Sequence, residues 1–375
     1  MNSNVYLHMS NIYKQEWEQY CTEELSLLTP LLSSLGFTLE EEQPHLKGER
    51  YLMQAVQTTS GKKLILLGKD SKGLRVVIKA TRDAAGSKEL EHEQTCRQKL
   101  HEIQFAYQVF LTPEEILFTH KDGFTISIQK FIEQQTTFLE RPLEEQFTLA
   151  LRAFKAQESA HAATYEHLRR IEGTFGSIDA KGYIKAYKTF ASNIEYARPD
   201  DASLSSLLKE GHAQLEKEME TIEQYSGFLT HTDFVPHNIR VLNDDIYLLD
   251  HSSLRFGNKY EGWARFLNFM ALYNPELEKA LLDYVKMNRT PEEYRALWLM
   301  RIFRLAEIIW FYVNMLQKTE GDQKVLTEAR IQLWKNVLEA ALKEETVSAS
   351  IVSEYKVLRD SLRTAEEKQR QVGLH

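Results

Sequence analysis

The segment His231-Thr232-Asp233-Phe234-Val235-Pro236-His237-Asn238 sets a carboxylate five residues before a carboxamide. A little further on, the apolar run Ile246-Tyr247-Leu248-Leu249 ends in a second carboxylate, Asp250. Three such groups suit phosphoryl transfer, which needs a positioned hydroxyl, neutralised phosphates and one or two magnesium ions. Asp233 would accept or orient the hydroxyl. Asn238 offers an amide oxygen, and Asp250 hard carboxylate oxygens, of the kind magnesium takes. Pro236 stiffens the turn between Asp233 and Asn238. Ile239 and Val241, then Tyr247 and Leu249, predict a hairpin through Asn243-Asp244-Asp245. That hairpin would bring Asn238 and Asp250 together. His231 is expected to brace the loop through a backbone carbonyl.

The surrounding pattern predicts how these groups are carried. Residues 11–34 form an amphipathic helix with Trp17, Tyr20, Cys21, Leu25, Leu28 and Leu31 near helical spacing, and Gly36 is a plausible stop. From Tyr51 the period shortens. Tyr51-Leu52-Met53-Gln54-Ala55-Val56, Leu64-Ile65-Leu66-Leu67 and Leu74-Arg75-Val76-Val77-Ile78 read as a three-strand antiparallel meander, separated by turn compositions. A helix is expected over 87–103, and strands at 115–118 and 124–128. Helical patterns follow over 143–171 and 203–225, and again from Trp263 onward. A β-rich first part and an α-rich second part indicate a two-lobed α+β protein. The domains predicted are a helical extension over 1–46, a β-sheet lobe with one helix over 47–132, and a helical lobe over 133–375.

The bulk composition narrows the function classes. The chain has 375 residues, 43% hydrophobic and 27% charged, which is ordinary for a globular protein. The net charge of −8, without a long basic run, disfavours nucleic acid as a partner. No run of about 18 apolar residues suggests a membrane span, and the first ten residues do not have a secretory pattern. Cys21 and Cys96 stand far apart without metal-ligand spacing, which fits a reducing compartment. A cytoplasmic enzyme, monomeric or homodimeric, is the expectation.

The pattern His-x-Asp-x-x-Pro-x-Asn followed by a strand ending in Asp resembles the aminoglycoside phosphotransferase and choline kinase superfamily, relatives of the protein kinases. The resemblance covers about 58–264. Upstream, Ser60-Gly61-Lys62-Lys63-Leu64-Ile65-Leu66-Leu67-Gly68 and Leu74-Arg75-Val76-Val77-Ile78-Lys79 look like the family's first hairpin. It implies that Ser60 and Gly61 belong to the loop over the phosphates and that Lys79 contacts them. It also implies Glu93 as the ion-pair partner of Lys79, with Glu89 in reserve. The backbone of Lys130, Phe131 and Ile132 would meet adenine at the hinge. A protein-kinase-like fold follows, with ATP or GTP, Mg²⁺, and a small-molecule hydroxyl as acceptor: an aminoglycoside, choline or ethanolamine, a sugar or an amino-alcohol. A nucleotide-binding module without transfer, and a protein kinase, are the alternatives. Thr232 stands in place of a usual glycine, His251-Ser252 in place of an aromatic-acid pair, and Asn258-Lys259 in place of Asp-Pro.

Overall fold

The computed structural model describes residues 6–46, 61–102, 111–159, 172–243 and 245–370. Its first lobe is built on a five-stranded antiparallel sheet. Helix α1 (Tyr6–Ser34) ends at Gly36, whose φ of +86° suits the left-handed position past a helix end. Strand β1 (Phe37–Leu39) follows at once, then β2 (Leu64–Asp70) and β3 (Arg75–Thr81). Helix α2 (Ala84–Glu102) leads to β4 (Glu115–Lys121) and β5 (Phe124–Lys130). The spatial order is β1-β2-β3-β5-β4.

Side chains alternate across this sheet, as strand geometry requires. Leu64, Leu66, Val76, Ile78, Ala80, Ile126 and Ile128 are buried on one face against Trp17, Cys21, Leu28, Leu31 and Leu32 of α1. Ile65, Leu67, Val77, Lys79 and Gln129 point to the other face, toward the second lobe. The register places Lys79 opposite Ile65 on one side and Ser127 on the other.

The first lobe differs from the sequence pattern at its start. The segment predicted as a helical extension adds β1 to the edge of the sheet through the pairs Phe37↔Asp70 and Leu39↔Gly68, and its helix closes the sheet's outer face. The strand predicted at 51–56 lies outside the described residues, and β1 is the neighbour of β2.

The second lobe is helical around two small hairpin-like pairs. Helix α3 (Leu143–Ser159) covers the described part of the first predicted helix. Helices α4 (Ala180–Ala197), α5 (Ala202–Lys217) and α6 (Met219–Gln224) come next. The single helix expected over 203–225 is thus two, parted at Glu218, whose N–H bonds back to Gln214 O at the end of α5. Strand β6 (Phe228–His231) pairs with β9 (Leu254–Gly257), and β7 (Ile239–Leu242) with β8 (Asp245–Leu248). The predicted hairpin is the β7–β8 pair, with Ile239 opposite Leu248.

Helices α7 (Glu261–Tyr273), α8 (Pro275–Asn288), α9 (Pro291–Leu316), α10 (Gly321–Leu342), α11 (Ala349–Leu362) and the short α12 (Ala365–Arg370) follow. Helix α9 starts from a reciprocal cap, with Thr290 Oγ1 accepting from Glu293 N and Glu293 Oε2 accepting from Thr290 N, and Pro291 at the first position. It is buried along most of its length against α7, α4 and α10. Trp263 and Trp298 are fully enclosed, and Trp263 stacks on Phe154 of α3 with ring centroids 3.8 Å apart. These rings are core, whereas Trp310 is half-buried and stacks on Phe190 of α4. Among the described residues no helix is long and apolar enough to cross a membrane.

Candidate active site

Of the residues singled out from the sequence, Lys79, Lys130, Phe131, Ile132, Asn238 and Asp250 line one cleft between the lobes, with Glu93 bonded to Lys79 and Asp233 bonded to Asn238. It encloses about 350 Å³ and is lined by Lys79 from β3, by Lys130, Phe131 and Ile132 at the end of β5, and by Asn238 and Asp250 from the second lobe. Ile65, Leu67, Val77 and Leu249 supply its apolar walls. Flat apolar walls beside a row of polar and charged groups suit a planar base joined to phosphates.

On the first lobe, Lys79 Nζ meets both carboxylate oxygens of Glu93, each at 2.7 Å. Glu93 projects from α2 and its side chain is only 4% exposed. Burial by itself would raise its pKa, but the Lys79 ammonium and the Arg97 guanidinium outweigh that and hold it down at about 2. Arg97 reaches Glu93 at 3.3 Å and also pairs with Glu115 of β4, tying α2 to the sheet. Glu89, one turn before Glu93, pairs with Lys63. The partner of Lys79 is therefore Glu93.

The hinge is braced by Arg75. Its guanidinium binds Glu40 at 2.7 and 3.0 Å and Glu133 at 3.1 Å, and lies 4.3 Å from the Phe131 ring centre. The N–H groups of Lys130 and Phe131 donate to the carbonyls of Glu114 and Arg75. Gly61 does not line the cleft. It sits against the start of α2, where an added Cβ would overlap the Gly86 nitrogen and Asp83 Oδ2. Ser60 lies outside the described residues.

On the second lobe, Asp233 follows β6 and is held from two sides. Arg265 of α7 donates to Oδ1 through Nε at 3.0 Å and makes an ion pair with the same oxygen, its terminal nitrogen 2.9 Å away. Asn238 Nδ2 donates to Oδ2 at 3.0 Å and to the Asp233 carbonyl at 2.9 Å. Burial opposes ionisation of Asp233, but Arg265, then His237 and His231, reverse it and hold the carboxyl well below the usual carboxylate range. The side chain is 34% exposed, so it is ionised yet still within reach of a ligand.

The two candidate metal ligands flank the β7–β8 pair, and Leu249 N donates to Asn238 O at 2.8 Å. Asp250 has φ +58° and ψ +62°, a left-handed conformation that lets the chain turn sharply after β8. Its Oδ1 accepts from Ser252 Oγ at 2.7 Å and its Oδ2 from Ser253 Oγ at 2.8 Å.

The unusual residues of the motif have structural partners. The N–H and hydroxyl of Thr232 both donate to Ser253 O, at 2.8 and 2.9 Å, fastening the Asp233 loop to the Asp250 loop. His231 Nε2 donates to Leu249 O at 2.9 Å, which is the expected brace. His251 is buried where α2 packs on the 251–253 turn, and that burial lowers its pKa to about 3. Asn258 is enclosed: its N–H donates to Tyr183 Oη at 2.9 Å, its Nδ2 to Ile222 O at 2.9 Å, and its Oδ1 accepts from Tyr260 N at 3.0 Å. It sets the entry to α7.

Arg265, Arg75 and Ser253 were not singled out from the sequence. Arg265 lies 32 residues beyond Asp233 on another element, where no local spacing points to it.

Known structures share this architecture. No protein-family model and no curated protein matches the chain. A thermostable mutant of the aminoglycoside phosphotransferase APH(4)-Ia, in apo form, superposes with a TM-score of 0.56 at 14% identity over 84% of this chain and 97% of its own. The macrolide 2'-phosphotransferase MphH from Brachybacterium faecium gives 0.53 at 14% identity, over 82% and 98%. A further variant of the thermostable APH(4)-Ia, in ternary complex with AMP-PNP and hygromycin B, gives 0.50 at 15% identity, over 73% and 90%. The chain thus has the two-lobed, protein-kinase-like fold of these aminoglycoside and macrolide phosphotransferases.

Proposed function

We propose that this protein transfers the γ-phosphate of ATP or GTP to a hydroxyl of a small molecule. One observation carries the reading: a single cleft is lined by Lys79, Lys130, Phe131, Ile132, Asn238 and Asp250, with the Lys79–Glu93 pair already formed. The base would lie between Ile65, Leu67 and Val77 above and Leu249 below, its edge toward the hinge backbone. Lys79 would meet the phosphates with its ammonium kept in place by Glu93. The ternary complex of APH(4)-Ia with AMP-PNP and hygromycin B supports a nucleotide and a small molecule as the two ligands of this fold.

The residues present fit magnesium. Asn238 commits Nδ2 to Asp233, which leaves its amide oxygen for a cation. Each Asp250 oxygen accepts one serine hydroxyl and keeps a further lone pair. Among the described residues no group of three His, Cys, Asp or Glu side chains forms an all-protein cage. That accords with magnesium, which is held by one or two protein groups together with phosphate oxygens and water. Bound there, it would neutralise charge on the phosphates. Asp233 would accept a hydrogen bond from the acceptor hydroxyl and aim its oxygen along the line of attack. Held so far below the usual range, Asp233 is a weak base, suited to orienting the hydroxyl while the bond to the leaving phosphate loosens. The hydroxyl proton would pass to it as the new bond to phosphorus forms.

The test is an ADP-release assay with Mg²⁺ over a panel of aminoglycosides, macrolides, sugars, choline, ethanolamine and amino-alcohols. At least one acceptor should raise ADP release well above the rate with water alone. ATP binding without stimulation by any of them would favour a nucleotide-binding module instead.

A further inference from the structure

The cleft holds two lysines on its upper face. Lys63 precedes β2 and Lys79 lies on β3. Because Leu64 pairs with Ala80 and Ile65 with Lys79, residues 63, 65 and 79 share the face turned to the cleft. Both lysines line the cavity, and each is matched by a carboxylate from the same face of α2, Glu89 for Lys63 and Glu93 for Lys79, one turn apart. The two pairs differ in one respect. Glu93 is enclosed and also bound by Arg97, whereas the Glu89 side chain is 26% exposed and lines the cavity itself. Glu89 is thus a carboxylate that a more highly charged anion can displace.

Two ammonium groups on one face of the cleft match a polyphosphate better than a neutral base, since charge-assisted bonds to phosphate are the strong ones. Gly61, two residues before Lys63, sits against Gly86 and Asp83 at the start of α2 and outside the cleft lining. We propose that Lys63 is a second phosphate-contacting residue, which exchanges Glu89 for the polyphosphate of the bound nucleotide. The assignment rests on the nucleotide reading above. It makes Lys63 a determinant of selectivity for polyphosphate over nucleoside, with Glu89 as the resident carboxylate that screens the ammonium until nucleotide arrives.

Calorimetry on the full chain with ATP and with adenosine tests this. Lys63→Met should weaken ATP about 10- to 100-fold, the span expected for one charge-assisted hydrogen bond, and leave adenosine within about twofold. Lys63→Arg should restore most of the ATP affinity, and Glu89→Gln should raise it by removing the competing carboxylate. Equal losses for ATP and adenosine in Lys63→Met, or a fall in Glu89→Gln matching that of Lys63→Met, would mark the pair as a strut between β2 and α2 and overturn the assignment. Thermal midpoints of the variants show whether any loss reflects unfolding, and Lys63→Arg keeps the assignment testable if Lys63→Met proves unstable. Wild-type protein that binds ATP while Lys63→Met binds it equally well would refute the Lys63 assignment alone. Wild-type protein that binds no nucleotide would refute the nucleotide reading and the assignment with it.

Discussion

Asp233 carries the proposed chemistry, and its environment explains what kind of group it is. One N–H donor and the ion pair from Arg265, with one donor from Asn238, fix both carboxylate oxygens, so the group is aimed before any ligand arrives. Replacing Arg265 by methionine should free Asp233 to rotate and lower kcat on the order of 10²-fold, the usual cost of a misplaced reacting group. The sign of the pH effect also follows. Arg265 depresses the Asp233 pKa, so its loss lets that pKa rise, and the acid limb of the pH–rate profile should move to higher pH. Arg265→Lys should restore part of the rate and part of the shift. A variant with an unchanged profile would show that Arg265 is only packing. At this scale the sequence was informative where spacing is local. Asp233, Asn238 and Asp250 were visible because a turn and a hairpin bring them together, whereas Arg265 reaches Asp233 through the fold alone.

Elements decide whether Lys79 is in place. Helix α2 presents Glu93 to β3 and packs on the turn after Asp250, so one helix touches both halves of the cleft. Glu93 has a pKa depressed from about 4.5 to about 2. A carboxylate depressed in the folded state contributes stability that is present above about pH 4.5 and lost as the pH falls toward 2. Glu93→Gln leaves Lys79 and Arg97 without their buried counter-charge and should cost on the order of 3–5 kcal/mol at pH 7. The gap to wild type, measured by urea unfolding, should narrow through that acid window. A gap that stays constant with pH would show that Glu93 gains nothing from its charge. Lys79 was legible as the charged end of an apolar strand. The choice between Glu89 and Glu93 was not, because both face the sheet from adjacent turns and only the register of β2 against β3 assigns each to its lysine.

On the scale of the whole molecule, the order of β-rich and α-rich segments was enough to indicate two lobes. It was not enough to place the first 46 residues. Their apolar stripe of Trp17, Cys21, Leu28 and Leu31 is clear in the sequence, but its partner is the outer face of a sheet formed mainly from residues 64–130. Strand β1 has three residues, too few for alternation to show in the sequence. The outcome is a first lobe in which α1 and β1 are integral, one covering the sheet's outer face and the other extending its edge.

Transfer of phosphate through Asp233 is the step on which the proposed function depends. The most direct measurement follows the γ-phosphate of labelled ATP with Mg²⁺, in the presence of whichever acceptor the panel identifies, for wild type and Asp233→Ala side by side. Wild type should turn over, and the variant should lose on the order of 10²–10⁴-fold in rate, with ATP affinity largely kept. Equal turnover by the two proteins would contradict a role for Asp233 in the transfer.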